Sequence, residues 1–210
     1  MRMNLKQSEK NTADRLSINK DFSEYQKLFL EQNSKMNLIS KNDEKFLYEK
    51  HIYDSLAIKL TNRLKDGQTL LDIGCGGGFP CVPISIEYPE INVVGIDSIR
   101  KKINAINEIK DKLNIRNLTT ICERVEHLKE KKYDIITSRA VAELSKICEY
   151  ALPLLKNDGV FIAYKSKRAM TEIDNAKNIL QKYKAKIIDV IEYTLPLEEN
   201  YERNLIVIGF

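Results

Sequence analysis

Short apolar runs alternate with helix-length segments from residue 68 onward, and this alternation limits the fold more than any other feature. Isoleucines recur at helical spacing between two of the runs, at Ile99, Ile103 and Ile106. Strands that alternate with helices in this way predict a parallel sheet with helices on both faces. The five runs are Thr69–Ile73, Asn92–Ile96, Leu118–Cys122, Tyr133–Ser138 and Val160–Tyr164.

Two further apolar runs, Lys186–Tyr193 and Asn204–Ile208, lie towards the C-terminus. Only Thr194–Arg203 separates them, which is shorter than the crossover of about a dozen or more residues that parallel neighbours need. The last pair should therefore be antiparallel. The whole pattern predicts an α/β fold with a seven-stranded, mostly parallel sheet and an antiparallel last strand.

The N-terminal part has a different pattern, which predicts a helical extension that packs on the core. Apolar residues between positions 22 and 32 recur at helical spacing. A second helical stretch is expected to begin at Asn42, with acids in its first turn, and to end near Gly67. We therefore expect a helical extension at residues 1–65 and an α/β domain at residues 66–210.

Length and composition are those of an ordinary globular protein. The chain has 210 residues, of which 43% are hydrophobic and 30% charged, and its net charge is +4. No apolar run approaches the ~20 residues that cross a bilayer, and a secretory signal is missing, so we expect a cytoplasmic protein without a membrane segment. The four cysteines lack C-x-x-C spacing and only two histidines occur, so no metal site is expected and the cysteines are interpreted as buried apolar residues.

A glycine-rich loop directly follows the first apolar run. Gly74, Gly76 and Gly78 alternate with other residues, and glycine permits positive φ angles and a close approach of the backbone to a ligand. Asp72 lies two residues before the loop, and Asp97 follows the next apolar run. Two acids in corresponding positions favour a ligand site, although a purely structural turn remains an alternative.

The spacing of the loop excludes two common nucleotide ligands. A phosphate loop needs Gly-Lys-Ser/Thr after its last glycine, whereas Phe79 and Pro80 follow Gly78. A dinucleotide loop needs G-x-G-x-x-G, and its third glycine would fall on Phe79. One acid that can hold an ammonium group and a second that can accept ribose hydroxyls suit S-adenosylmethionine, which carries both groups and no phosphate.

Further polar side chains follow the later strands. Arg124–Glu126 follow the third apolar run, Ser138–Ala140 the fourth and Lys165 the fifth. Because ligands bind at the carboxyl ends of strands in open parallel sheets, we expect these residues to border one cleft. Basic clusters such as Arg100–Lys102 and Lys129–Lys132 are compatible with an RNA-facing surface, although each alone is more typical of a solvated face.

Together these motifs resemble those of the class I S-adenosylmethionine-dependent methyltransferases, and within them the bacterial small-subunit ribosomal RNA methyltransferase G family, also named glucose-inhibited division protein B. The glycine loop indicates only the superfamily, whereas His-x-x-Asp-Ser and Ser-Arg-Ala are more specific. The resemblance covers nearly the whole chain and departs from the family at Cys81, where glycine is frequent. The matching stretches are Met36–Leu38, His51–Leu56, Asp72–Pro80, Asp97–Ser98, Arg124–Glu126 and Ser138–Ala140.

This resemblance implies a Rossmann-like enzyme that transfers the methyl group of S-adenosylmethionine to N7 of a guanosine in 16S rRNA, near the decoding centre. Guanine N7 carries a lone pair and no proton, so no general base is expected and orientation should supply most of the rate. Methylation of another RNA and a non-catalytic RNA-binding module remain alternatives. An aminopropyl transferase is disfavoured, because Ser138 and Arg139 stand where an acidic polyamine site is needed. Nothing in the sequence demands more than a monomer.

Roles for individual residues are assigned from their positions in these motifs, together with the resemblance. His51, Asp54, Ser55 and Lys165 are hypothesised to position the RNA, and Arg139 to position cofactor or substrate. Simpler interpretations stay open: a surface acid for Glu126, an ion pair for Arg139, and a satisfied histidine at His51. Residues implied to hold the cofactor are Asp72, Gly74, Gly76, Gly78, Phe79, Asp97, Val125, Glu126 and Arg139.

Overall fold

A computed structural model describes residues 16–129, 132–197 and 201–210. In it one sheet has the strand order β3-β2-β1-β4-β5-β7-β6, in which β7 is antiparallel to β5 and β6 and all other pairs are parallel. The predicted α/β fold, with its seven-stranded sheet and antiparallel last strand, is confirmed. The strands are β1 Thr69–Ile73, β2 Asn92–Asp97, β3 Leu118–Cys122, β4 Tyr133–Arg139, β5 Leu155–Ser166, β6 Lys186–Leu195 and β7 Tyr201–Gly209.

Five α-helices accompany the described strands: α1 Ser23–Met36, α2 Cys81–Glu87, α3 Arg100–Lys112, α4 Leu144–Ala151 and α5 Ala169–Tyr183. Short 3₁₀-turns lie at Val125–His127 and Leu152–Leu154.

An irregular helical run lies between α1 and β1. It consists of 3₁₀-helix Lys41–Phe46, π-helix Tyr48–Tyr53, an α-helical turn Asp54–Leu56 and 3₁₀-helix Ala57–Thr61. The prediction that this stretch continues to the vicinity of Gly67 is wrong. It ends at Thr61 because Asn62 adopts a left-handed conformation, with φ of +52°.

Two hydrophobic cores lie on opposite faces of the sheet. Because successive strand residues point to opposite faces, Leu70 belongs to one core and Leu71 to the other. The first core is covered by α1, the irregular helical run, α2 and α3, and the second by α4 and α5. Burial of each large apolar side chain contributes roughly 1.5–3 kcal/mol, which holds the helical layers on the sheet.

The N-terminal helix packs against the glycine loop. The Phe29 ring of α1 lies 5.0 Å from the Phe79 ring, and Gln32 donates a hydrogen bond of 2.7 Å to Glu108 of α3. The division into an extension at residues 1–65 and a domain at 66–210 stays a prediction, and residues 1–15 lie outside the described part.

The described residues contain neither a membrane-spanning helix nor a metal site. No helix there is long and apolar enough to cross a membrane, and no group of three or more His, Cys, Asp and Glu side chains could hold a metal ion. All four cysteines are free, and Cys75, Cys81 and Cys148 are buried, in line with their interpretation as apolar residues. The cytoplasmic location and the monomeric state stay predictions.

Candidate cofactor and substrate site

The glycine loop joins β1 to α2 at the carboxyl edge of the sheet. The φ angles of Gly74, Gly76 and Gly78 are +69°, +54° and +98°. A Cβ atom at Gly74 would lie 2.5 Å from Cγ2 of Val141, and one at Gly78 would lie 2.7 Å from Cγ2 of Val82. A Cβ at Gly76 would have only one atom within 4 Å, the carbonyl oxygen of Gly74 at 3.8 Å. Gly76 therefore presents bare backbone to an open space, as a ligand cradle requires.

Asp72 lies beneath this loop. Its side chain is fully buried and accepts hydrogen bonds from Thr137 Oγ1 at 3.0 Å and from the N–H of Cys81 at 3.2 Å. Burial raises the pKa of Asp72 to about 7, although both hydrogen bonds oppose the shift. In this conformation the carboxylate holds the loop to α2 and β4, and direct contact with a ligand would need the loop to move.

Asp97 extends from β2 into the cleft. Its Oδ2 accepts a hydrogen bond from the N–H of Gly76 at 3.0 Å, and its Oδ1 accepts one from the N–H of Ile99 at 2.8 Å. Each oxygen keeps a further lone pair for an outside donor. The half-buried carboxylate is thus held in place by backbone while it still borders solvent.

Two cavities adjoin at this carboxylate. The first has a volume of about 290 Å³ and the second about 420 Å³, and both are bordered by Gly74, Asp97 and Val141. The first cavity has apolar walls, and the predicted residues Val125 and Glu126 border it, with Val125 half-buried and Glu126 exposed. Its apolar lining consists of Ile73, Ile96, Ile99, Val125, Val141 and the ring of Tyr150.

The second cavity is more polar. It is bordered by the glycine loop, by Phe79, by Lys102 of α3, by Arg139 of β4 and by His51 of the irregular helical run. After Arg139, Ala140 has a φ of +56°. This left-handed conformation is unfavourable for alanine, and it reverses the chain so that Val141 returns over Gly74.

Arg139 does not extend freely into the cleft. Its Nη1 donates to Asp54 Oδ2 at 2.9 Å and to the carbonyl oxygen of Lys50 at 3.1 Å. The same carboxylate accepts two hydrogen bonds of 3.1 Å from Arg203 of β7 and one from the hydroxyl of Tyr193 of β6. We call these four side chains, Asp54, Arg139, Tyr193 and Arg203, the Asp54 cluster.

The Asp54 cluster stays charged although it is buried. Asp54 is 1% exposed, and burial disfavours its ionised form. The guanidinium groups of Arg203 and Arg139 and the hydroxyl of Tyr193 outweigh that effect, so the pKa of Asp54 lies below its ordinary value. The carboxylate therefore orients Arg139 towards the second cavity.

His51 is attached to this cluster from the cavity side. Arg139 Nη2 lies 3.0 Å from Nδ1 of His51, and the imidazole ring lies 4.9 Å from the ring of Phe79. The guanidinium carbon of Arg139 is 5.3 Å from the centre of the same phenyl ring. Burial and the charge of Arg139 lower the pKa of His51 to about 4. The three side chains pack against one another and form one wall of the second cavity.

Three of the residues hypothesised to position RNA are turned inwards. Asp54 and Ser55 are both buried; Ser55 donates to the carbonyl oxygen of His51, and its own carbonyl accepts a hydrogen bond from Tyr164. Lys165 pairs with Glu172 at 2.6 Å and donates to the carbonyl oxygen of Ala142 at 2.7 Å. A direct RNA contact of Asp54, Ser55 or Lys165 does not fit this structure, because each is already bound within the protein.

Comparison with known proteins agrees with this geometry. Residues 18–205 match the family described as GidB, rRNA small subunit methyltransferase G. A protein named ribosomal RNA small subunit methyltransferase G, from Bacillus licheniformis, is 41% identical over 192 residues, which are 89% of this chain and 80% of the relative.

The chain belongs to the rRNA small subunit methyltransferase G family. The predictions of the family, of an S-adenosylmethionine-dependent rRNA methyltransferase, and of S-adenosylmethionine as its cofactor are confirmed. The descriptions of the family and of this relative name the small-subunit rRNA as the substrate, in agreement with the substrate that the sequence led us to expect.

Solved structures that resemble this chain share its fold at low sequence identity. A ribosomal protein L11 methylase from Lactobacillus delbrueckii subsp. bulgaricus has a TM-score of 0.58 at 16% identity, with 75% of this chain and 77% of that chain covered. The TYW2 protein of M. jannaschii, solved in complex with AdoMet, has a TM-score of 0.56 at 17% identity, with 71% of each chain covered.

The residues of this chain fit S-adenosylmethionine. The open face of Gly76 admits a ligand to the backbone, the anchored carboxylate of Asp97 can accept two hydroxyl groups, and the apolar first cavity suits a flat ring. Sequence reasoning missed Val141 and Tyr150, which complete that apolar lining. It also missed Tyr193 and Arg203, for which no local motif exists.

Proposed function

We propose that this chain holds S-adenosylmethionine across the two adjoining cavities and methylates guanine N7 of 16S rRNA at the second one. The observation that carries the proposal is the position of Asp97, whose carboxylate borders both cavities and is anchored by the N–H groups of Gly76 and Ile99. A ligand with an apolar ring on one side of a diol and a polar chain on the other matches this arrangement.

Each part of the cofactor then has its own group of residues. The adenine is assigned to the apolar first cavity beside Val125, with Glu126 at its edge. The ribose hydroxyls are assigned to Asp97 and the methionine part to the cradle formed by Gly74 and Gly76. Asp72 acts from below by holding the loop, and Gly78 by allowing it to pack on α2.

When bound, S-adenosylmethionine supplies an electrophilic methyl group on a positively charged sulfur. The chain's own residues have to orient the guanine, because N7 presents a free lone pair and loses no proton. His51 is neutral at physiological pH, and Asp43 is paired with Lys50 at 2.8 Å. Neither group is needed as a general base.

The wall formed by Phe79, Arg139 and His51 is the proposed surface for the guanine. Lys102 borders the same cavity and adds a positive charge suited to RNA phosphate or to the cofactor carboxylate. The Asp54 cluster keeps Arg139 in place behind this wall, so Asp54 acts as a positioning residue and does not contact RNA.

The reaction is tested with S-adenosylmethionine labelled in its methyl group and full-length 16S rRNA, free or in the small subunit. The labelled nucleotide is mapped by cleavage at 7-methylguanosine. Label at guanine N7 is the expected result. Label at an exocyclic amine or at C5 of a pyrimidine, or absence of transfer to both substrates, would contradict the proposal.

The position of the cofactor is tested with Asp97→Ala. Loss of one hydrogen bond to a charged group costs about 1.5–3 kcal/mol, so the loss of even one ribose contact should lower cofactor affinity by roughly ten- to a hundredfold in calorimetric titration. Asp174→Ala is the matched control, because that carboxylate is 67% exposed on α5. Equal cofactor affinity of Asp97→Ala and Asp174→Ala would show that the ribose assignment is wrong.

A further inference from the structure

One nitrogen atom of His51 has no hydrogen-bond partner among the described residues. Nε2 is buried, although the imidazole ring borders the second cavity. A buried polar atom without a partner costs about 1–3 kcal/mol, so such atoms are uncommon in folded proteins. A ligand group that pairs with Nε2 would remove this cost in the complex.

The neighbouring arginine determines the chemical character of that atom. A guanidinium group carries only donors, so the contact of 3.0 Å between Arg139 Nη2 and His51 Nδ1 requires Nδ1 to accept. An accepting Nδ1 carries no proton. In the neutral ring the single N–H then lies on Nε2, which makes this atom a hydrogen-bond donor.

The same arrangement keeps the imidazole neutral. Burial and the charge of Arg139 hold the pKa of His51 at about 4, while Asp43 and Asp54 oppose the shift. Arg139 itself is held by Asp54 and by the carbonyl oxygen of Lys50. The protein therefore holds a fixed and uncharged N–H just behind the wall of the cavity to which methyl transfer is assigned.

The acceptors that can enter this cavity are the carboxylate of the cofactor, an RNA phosphate and O6 of the target guanine. A carboxylate is matched better by a cation, and Lys102 borders the same cavity. A neutral donor suits the carbonyl O6, which lies next to N7 on the same edge of guanine. Nε2 lies just behind the wall, so its neighbours must separate slightly as the base enters.

We propose that the Nε2–H group of His51 donates a hydrogen bond to O6 of the target guanine and thereby selects guanine over adenine. The inference rests on the proposed function and names a specificity residue for it. Adenine also has an N7 acceptor, but it presents an amino group where guanine has O6. That amino group would meet the N–H of His51, so two donors would face each other and adenine would be rejected.

The test combines a protein change with a base change. Wild-type protein and His51→Phe are assayed with small-subunit rRNA that carries guanosine or 2-aminopurine at the target position, since 2-aminopurine keeps N7 and lacks O6. With guanosine, His51→Phe should lower kcat/KM by roughly 3- to 10-fold, the value of one neutral hydrogen bond. With 2-aminopurine, the two proteins should differ by less than twofold.

A merely structural effect of the substitution would act on both RNAs by the same factor, and that result would overturn the proposal. His51→Gln is the conservative variant, because its amide offers an acceptor to Arg139 and a donor beyond it; it should recover most of the activity on guanosine. Failure of His51→Gln to exceed His51→Phe would also count against the donor role.

Measurement of cofactor binding tests the remaining alternative, in which Nε2–H of His51 binds the cofactor carboxylate. S-adenosylmethionine affinity should be unchanged in His51→Phe, and a fall of more than threefold would assign Nε2–H to the cofactor carboxylate and overturn the proposal. In each of these outcomes wild-type protein still methylates guanine N7. Failure of the inference is therefore separable from failure of the proposed function.

Discussion

Two buried carboxyl groups at the site, Asp72 beneath the glycine loop and Asp54 in its cluster, have pKa values that are shifted in opposite directions. Both are removed from water, with exposures of 0% and 1%. Burial raises the pKa of Asp72 to about 7, since only neutral donors hydrogen-bond to it. The pKa of Asp54 is lowered, since two guanidinium groups outweigh burial. Burial alone thus does not decide whether a carboxylate is charged; its partners do.

Because of this difference, the two regions have different roles. The loop region uses backbone geometry and a carboxyl group that is readily neutralised, and it forms the cofactor cradle. The cluster uses full charges to hold Arg139, and through it His51, at the substrate side. Substitutions of the loop glycines should therefore change mainly cofactor affinity, whereas substitutions in the cluster should change mainly stability.

The largest effect is expected for Asp54→Ala. This change leaves Arg139 and Arg203, whose side chains are 13% and 15% exposed, without their shared carboxylate. Removal of one partner from a buried ion pair costs about 3–5 kcal/mol. Urea denaturation of Asp54→Ala should show a loss of that size, while the exposed control Asp174→Ala should change little.

A milder change keeps this prediction testable if Asp54→Ala does not fold. Tyr193→Phe removes only the hydroxyl that donates to Asp54, and a hydrogen bond to a charged group contributes about 1.5–3 kcal/mol. Wild-type stability in Tyr193→Phe would contradict the idea that a charged Asp54 holds the cluster together. The contribution of Asp54 to the free energy of unfolding should persist above pH ~4. It should disappear as the pH falls through the lowered pKa of Asp54 in the folded state.

The opposite pH dependence is expected for Asp72. Its folded pKa of about 7 exceeds the unfolded value, so the native state binds the extra proton between about pH 4 and pH 7. Wild-type stability should therefore fall as the pH rises through this range. Asp72→Asn keeps the shape of the side chain but cannot titrate. The free energy of unfolding of the variant should therefore rise by roughly a few kcal/mol relative to that of wild type between pH 4 and pH 8. A constant difference across that range would show that Asp72 does not titrate as described.

The smallest effect on stability is expected for Gly74→Ala. This substitution tests cofactor affinity separately from folding stability. The new Cβ would displace Val141, which borders both cavities, so cofactor affinity should fall about tenfold. Gly67→Ala is the matched control, because Gly67 has a φ of +80° but no atom within 4 Å of an added Cβ. Both variants should lose about 1–2 kcal/mol of stability from the backbone conformation. Equal cofactor affinity in the two would show that Val141 does not shape the cofactor site.

Sequence patterns predicted the strands well where the apolar runs were uninterrupted. The predicted and observed limits of β1 and β3 agree, but β5 begins at Leu155 instead of Val160. The polar stretch at the start of β5 resembles a turn in the sequence. In the structure Leu155 pairs with Tyr133 of β4, and the register shifts before Val160 pairs with Ile135. Pairing with a neighbouring strand overrides the local preference there.

The cofactor side of the site was more predictable than the substrate side. Gly74, Gly76 and Asp97 come together because a parallel sheet places the ends of β1 and β2 side by side. Arg139 and His51 were singled out, but their mutual contact was not expected. Asp54 and Arg203 are 149 residues apart in the chain, so no rule based on sequence spacing could have predicted their contact.

The sequence by itself determined the alternating fold, the glycine cradle and the family, because these depend on local periodicity and on short motifs at strand ends. Only the tertiary structure decided which buried groups are charged and which nitrogen of His51 carries the proton. Those properties depend on the distances between side chains from distant parts of the chain, since electrostatic and hydrogen-bond energies fall steeply with separation.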